Sequence, residues 1–288
     1  MKSATVRQDG YTIVEVMIFL TISAVLLVSA IGLLGGRISG TQFNQSVQAL
    51  DSKIRTVANE AATGTYPSTP DFDCTVPATE PQITPLTSNK QGTRSDCVFA
   101  GKVINFGVTS SGCSLPVDSA KCESADVYTV VGRRVLADKK TVVTGLTGAN
   151  GASPRIVTTP NITEVYPFGY STRVSGIYRV KSGVLTQVSG LGFFQGFNAS
   201  YGSNGDLNSG AHGVETWTVR NQTAIGISPL TIDQMAAAVK AETIDAPEPD
   251  SQVLVCLKNG SRKASITISS GNSGSIGTVV NIGDPLCP

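Results

Sequence analysis

The sequence predicts an α+β fold in which one long N-terminal helix carries a β-rich, disulfide-stapled head. Three observations support that expectation. A long apolar stretch near the start runs directly into an amphipathic one. Alternating β-type runs separated by turn signals fill the remainder. Six cysteines occur, none before Cys74.

The chain of 288 residues is long enough for one large domain or two smaller ones beside the apolar segment. Charged residues make up 15%, against a typical ~25%. The formal net charge is +1, so no strong overall field points to nucleic acid. The cysteines are even in number and form no C-x-x-C pair, whereas a zinc site wants ligands clustered at short spacings. They fit an exported domain in an oxidising compartment.

From Tyr11 to Leu34 the only ionisable side chain besides the Tyr11 phenol is Glu15. At ~1.5 Å per residue this stretch spans ~36 Å, sufficient for a bilayer core of ~30 Å. A secretory signal core is shorter, and no small-residue cleavage site follows. Residues 11–36 are therefore expected to form a transmembrane helix in the cytoplasmic membrane. Lys2 and Arg7 keep residues 1–10 in the cytoplasm and send everything after Gly36 outside.

The apolar periodicity continues through Ile38, Phe43, Val47, Leu50, Ile54, Val57 and Ala61, with Gln42, Gln45, Lys53, Arg55 and Asn59 on the opposite face. This is an amphipathic helix over 37–62. Gly35, Gly36 and Gly40 weaken the join by up to ~1 kcal/mol each, so a bend or local melting is expected there. Gly64, Pro67 and Pro70 end the helix.

Residues 63–288 form the head. In "SQVLVCLKNGSRKASITISS" Val253, Val255 and Leu257 share one face, as do Ala264, Ile266 and Ile268 after Asn259-Gly260, a strong hairpin cue. "DCVFAGKVINFGV", "ADVYTVVGRRVLADKKTVVTG" and "TRVSGIYRVKSGVLTQVSG" read as further strands and hairpins. A helix is expected in "SPLTIDQMAAAVKAE", capped by Ser228 or Thr231, with Met235, Ala236 and Val239 buried. The Gly-rich segment from Gly190 to Gly213 carries Phe193, Phe194, Phe197 and Tyr201. It is expected to be a long connection whose aromatics pin it to the sheet, the competing reading being an exposed aromatic contact loop.

Glu15 lies at the fifth position after Gly10, and Gly10 ends a short leader, "MKSATVRQDG", directly before the apolar run. With Tyr11 as an aromatic first residue, this arrangement resembles the type IV prepilins and the pseudopilins of type II secretion. Tyr11 stands where most members have Phe, and Gly32 stands where many major pilins have Pro. The resemblance covers residues 1–62. It implies that 1–10 is a leader peptide removed after Gly10 by a prepilin peptidase/methyltransferase. The new amino group of Tyr11 would be methylated, and Glu15 would pair with a neighbouring subunit's N-terminus. The implied partners are other pilin subunits, the pilus or secretion assembly machinery, and membrane lipid before assembly. A host or neighbouring-cell surface is the implied partner of a head specialised for adhesion. The competing class is a membrane-anchored extracellular binding protein that does not polymerise.

Proximity favours Cys74–Cys97, Cys113–Cys122 and Cys256–Cys287 among the many connectivities that six cysteines allow. The last would tie the final hairpin to the C-terminus, as many type IV pilins do. No enzyme is expected. His212 is the only histidine, and no nucleophile elbow, Walker loop, dinucleotide fingerprint or H-E-x-x-H stretch occurs. Asp71, Asp73 and Asp126 form no calcium loop, and no metal or cofactor is expected.

Overall fold

The computed structural model describes residues 11–64, 72–76, 81–85, 97–106, 123–133, 153–157, 163–195, 214–219, 232–240, 244–245, 252–270 and 276–287. Gly10, Cys113, Cys122, Phe197, Tyr201, His212, Ser228 and Thr231 lie outside them, as does the rest of the expected "ADVYTVVGRRVLADKKTVVTG" hairpin beyond Arg133.

α1 (Ile13–Thr63) is a single helix of 51 residues, about 77 Å long at ~1.5 Å per residue. The local melting expected at Gly35, Gly36 and Gly40 does not occur: the helix is continuous through all three. At ~1 kcal/mol each, three glycines weaken a helix without breaking it when both flanks are strong formers. Gly64 ends α1 at φ 66, its N–H turned back to the carbonyls of Ala61 and Glu60. A left-handed residue satisfies the last orphan carbonyls, and glycine takes that conformation without a Cβ penalty.

The face of α1 formed by Phe43, Val47, Leu50, Ile54, Val57, Ala58 and Ala61 is buried. Ile38 departs from the expected stripe and is 53% exposed, being placed before the head begins to cover the helix.

The head contains β1 (Phe72–Thr75), β2 (Gln82–Pro85), β3 (Cys97–Phe106), β4 (Ser124–Arg133), β5 (Arg155–Ile156), β6 (Glu164–Pro167), β7 (Arg173–Lys181), β8 (Val184–Gln187), β9 (Gly190–Gln195), β10 (Val214–Val219), α2 (Ile232–Lys240), β11 (Ile244–Asp245), β12 (Gln252–Asn259), β13 (Arg262–Ser270) and β14 (Ile276–Ile282). Among the described residues these make two large antiparallel sheets. The first has the order β11-β10-β9-β3-β4-β5, with β6 also paired to β4; the second has the order β14-β13-β12-β7-β8. β1 and β2 pair only with each other.

The buried face of α1 shares one core with both sheets. Ile104, Phe106, Val127, Leu191 and Phe193 come from the first, and Val253, Val255, Leu257, Ala264, Ile266 and Ile268 from the second. On the other side of the first sheet, Met235, Ala238 and Val239 of α2 cover Val103, Tyr128 and Trp217. Ala236, expected to be buried, is only half covered, and Ala238 takes its place.

The segment expected to be a connection after Gly190 instead begins with β9, a central strand between β10 and β3. Phe193 and Phe194 are fully buried on its opposite faces, one in each core. Their burial on both faces explains why no alternation marks this strand. In the β12–β13 hairpin, Asn259 pairs with Arg262, so Gly260 and Ser261 form the two-residue loop, shifted by one from the expected Asn259-Gly260. The alternation itself was correctly phased, and β12 is buried on both faces.

Disulfides join Cys74 to Cys97 and Cys256 to Cys287. The first attaches the β1–β2 hairpin to β3, beside Val131 and Val157. The second fastens the C-terminal segment across the outer face of β12, beside Tyr178 and Val180. Asp284 shapes that segment by accepting from the Leu286 N–H at 2.8 Å and from Ser265 Oγ. Replacing Cys256 and Cys287 together by Ala is expected to lower stability by about 2–4 kcal/mol, because the unfolded chain loses a cross-link. Denaturant unfolding with and without reductant checks this: reductant should bring the wild type toward the variant.

Polar contacts fix the rotation of α1 in its cradle. Lys53 Nζ meets both Glu164 carboxylate oxygens at 2.6 Å. Arg55 Nη2 donates to Thr278 O at 3.1 Å, Thr278 Oγ1 donates to Asp51, and Lys102 pairs with Glu60. The amphipathic half of α1 is thus locked to the head by burial and by charge.

Candidate functional site

The described site begins at Tyr11, which is 83% exposed. Thr12 is the N-cap of α1, in an extended conformation, and its Oγ1 accepts from the Glu15 N–H at 3.3 Å. Thr12 was not foreseen as a site residue, although "TIVE" fits the T-x-x-E signature of a capping box. Only half of that box forms. Among the described residues nothing binds the Glu15 carboxylate, which stays exposed in the first turn of the helix. A carboxylate there is favoured by the helix dipole and remains available to an outside partner.

Apart from Glu15, the helix from Ile13 to Val28 presents apolar side chains on every side. Ile13, Val14, Met17, Phe19, Leu20 and Val28 are all more than half exposed. Hydroxyls in this stretch are turned onto the backbone: Thr21 Oγ1 donates to Met17 O at 2.9 Å and Ser29 Oγ to Val25 O at 2.8 Å. Such internal bonds let a polar side chain sit in an apolar medium with its hydrogen bond made.

Among the described residues no helix is long and apolar enough to cross a membrane. The expected span over 11–36 has described side chains only as far as Ser29. From Ile13 that is about 26 Å of helix axis, short of a ~30 Å bilayer core. The side chains at 30–37 lie outside the description, so the membrane span is not carried by the structure itself.

Away from this helix, a buried polar cluster lies on β4 of the described head. Tyr128 Oη donates to Asp126 Oδ2 at 3.1 Å beneath α2, with Asn105 opposite Asp126 on β3. Burial pushes the Asp126 carboxyl above its ordinary range, against the opposing effect of the Tyr128 hydrogen bond. Burial first, and then the Asp126 charge, push the Tyr128 phenol up. A carboxyl raised by folding binds its proton more tightly in the folded state. Its contribution to stability is complete below the ordinary value of 3.8 and is lost as pH rises through the raised value. Asp126→Asn is therefore expected to raise the denaturation midpoint at pH 7 and leave it nearly unchanged at pH 3, as urea melts at the two pH values would show.

Among the described residues no group of three or more His, Cys, Asp or Glu is placed to hold a metal ion.

The arrangement that stands out is thus the N-terminal one: an exposed apolar helix with one free acid in its first turn, continuous with a helix buried in a β-rich head. It defines a class of protein built to present a helix to other apolar surfaces. The prokaryotic N-terminal methylation motif matches residues 6–31, the signature of type IV pilins and pseudopilins. That motif points to a structural protein rather than an enzyme. It also implies processing by a prepilin peptidase and a membrane-anchored or extracellular filament location. Comparison with curated proteins and with solved structures gives no match to this chain.

Proposed function

We propose that this chain is a structural subunit of a type IV pilus-like filament, whether pilin, minor pilin or pseudopilin. Residues 11–36 hold it in the cytoplasmic membrane with the head outside. A prepilin peptidase/methyltransferase cuts between Gly10 and Tyr11 and methylates the new amino group. The mature subunit then leaves the lipid and packs by its helix among other subunits in an extracellular filament. Adhesion, motility, DNA uptake and secretion are the roles such a filament serves.

The single observation that supports this reading is the division of α1. One half is buried in the head, and the other, with the methylation motif, is apolar and exposed on all sides. An apolar surface of that extent needs a cover in water. Lipid provides it before assembly and neighbouring helices provide it afterwards. Glu15 supplies register, because a carboxylate among apolar helices is stable only beside a cation. The cleaved amino terminus of a neighbour, cationic after methylation, is that cation.

The test is the N-terminus of the protein recovered from its own cells, read by mass spectrometry. N-methylated Tyr11 is expected, and a chain that still begins at Met1 would refute processing. Electron microscopy with an antibody against the head then distinguishes the competing class. Labelled surface fibres support the filament subunit; processed monomers at the membrane without fibres establish an anchored binding protein.

A further inference from the structure

The net charge of the chain is close to zero, yet the outer face of the second sheet gathers cations in a row. Arg173 of β7 is registered opposite Lys258 of β12, and Lys258 is registered opposite Lys263 of β13. Residues directly opposite in an antiparallel ladder share a face, and strands lie ~4.8 Å apart, so the three stems stand within roughly 10 Å. Like charges in such pairs are destabilising.

Among the described residues, the surroundings compensate only part of this charge. Glu123 Oε1 lies 3.4 Å from Arg173 Nε, and Lys263 Nζ donates to the Cys287 carbonyl at 3.1 Å. Asp284 is buried and already accepts from Ser265 and Leu286. Among the described residues nothing pairs with Lys258, the middle cation, which is half-exposed. A strained turn holds the row in place. Tyr170 and Ser171 both adopt positive φ, 57 and 53, immediately before β7, and Asn259 Nδ2 clamps the Tyr170 carbonyl at 2.6 Å. Two non-glycine residues in the left-handed region are uncommon and collect at functional sites.

We propose that Arg173, Lys258 and Lys263 form a binding site for a phosphate monoester. A phosphate monoester brings nearly two negative charges and three acceptor oxygens, which matches three cations offset by one carboxylate. A single carboxylate would leave the row in excess. One guanidinium fork beside two ammonium groups suits a tetrahedral oxyanion. The site lies on the head and does not depend on the filament reading.

The experiment follows thermal unfolding of the full chain in non-ionic detergent at low salt, with inorganic phosphate, glucose 6-phosphate or phosphatidylglycerol vesicles as probes. Inorganic phosphate and glucose 6-phosphate are expected to raise the wild-type midpoint, with an effect that fades as salt is added. Lys258→Gln should weaken the apparent affinity at least tenfold while raising the ligand-free midpoint, since it relieves repulsion. A merely structural lysine would lower that midpoint. Lys263→Gln repeats the affinity test at an independent position. Equal phosphate shifts in wild type and both variants, no shift in any of them, or a response to vesicles alone would each overturn the proposal.

Discussion

Glu15→Ala is expected to be cut after Gly10 and retained in the membrane like the wild type, yet to lose filament assembly almost completely. Alanine makes the helix more apolar, so anchoring does not suffer. What disappears is the carboxylate that sits one turn from Tyr11 and, among the described residues, has no partner in its own chain. Removing one member of a buried ion pair costs about 3–5 kcal/mol. At ~1.4 kcal/mol per tenfold, each subunit contact weakens by roughly two to three and a half orders of magnitude. Glu15→Gln should fail nearly as badly, because it keeps the shape and loses the charge. Glu15→Asp should assemble in part. Sheared fibres quantified against the membrane fraction give the measurement, and fibres from Glu15→Ala at wild-type yield would eliminate the proposed pairing.

The second large effect is expected at Gly101, in the head. Near this residue the β3–β4 register shifts, and the backbone of β3 passes close against β9. A Cβ added to Gly101 would lie 2.2 Å from the Phe193 carbonyl oxygen and 2.8 Å from the Phe194 Cα. Both are backbone atoms of a central strand, so neither can swing aside. Gly101→Ala should therefore part β3 from β9 and destabilise the head by at least about 3 kcal/mol. Proteolysis of the membrane-bound chain and denaturant melts would both report it. A midpoint within experimental error of the wild type would show that the strands approach each other less closely than they do here.

These two positions differ in how far the sequence announces them. Glu15 is legible because a lone acid in an apolar run is conspicuous, and its spacing from Gly10 adds a second constraint. Gly101 is not, since nothing local distinguishes a glycine that another strand crowds from one in a loose turn. The same contrast runs through the fold. The stripe from Phe43 to Ala61 and the alternation of Ala264, Ile266 and Ile268 in β13 follow from a regular period facing one core. Both described bridges join cysteines that neighbour each other along the sequence.

β9 was misread because its glycines suggest a loop. They are strand glycines, and Phe194 lies where side chains at Gly101 and Gly192 would otherwise be. The cation row escaped notice for a related reason: Arg173 and Lys258 are far apart in sequence, and only strand pairing brings them together. Register between distant strands is tertiary information, and no window along the chain contains it.

The absence of a break in α1 turns the helix into a drive shaft. A melted neck would let the head swivel independently of the exposed N-terminal end. A continuous helix makes the azimuth of the head a function of the number of residues between Glu15 and Phe43. Each residue of that interval turns the head by ~100° and advances it by ~1.5 Å, so neck length is a vernier that sets which side of the head faces outward. Removing one residue would swing the outer sheet away by more than a quarter turn, whereas a seven-residue change would restore its bearing to within ~20°.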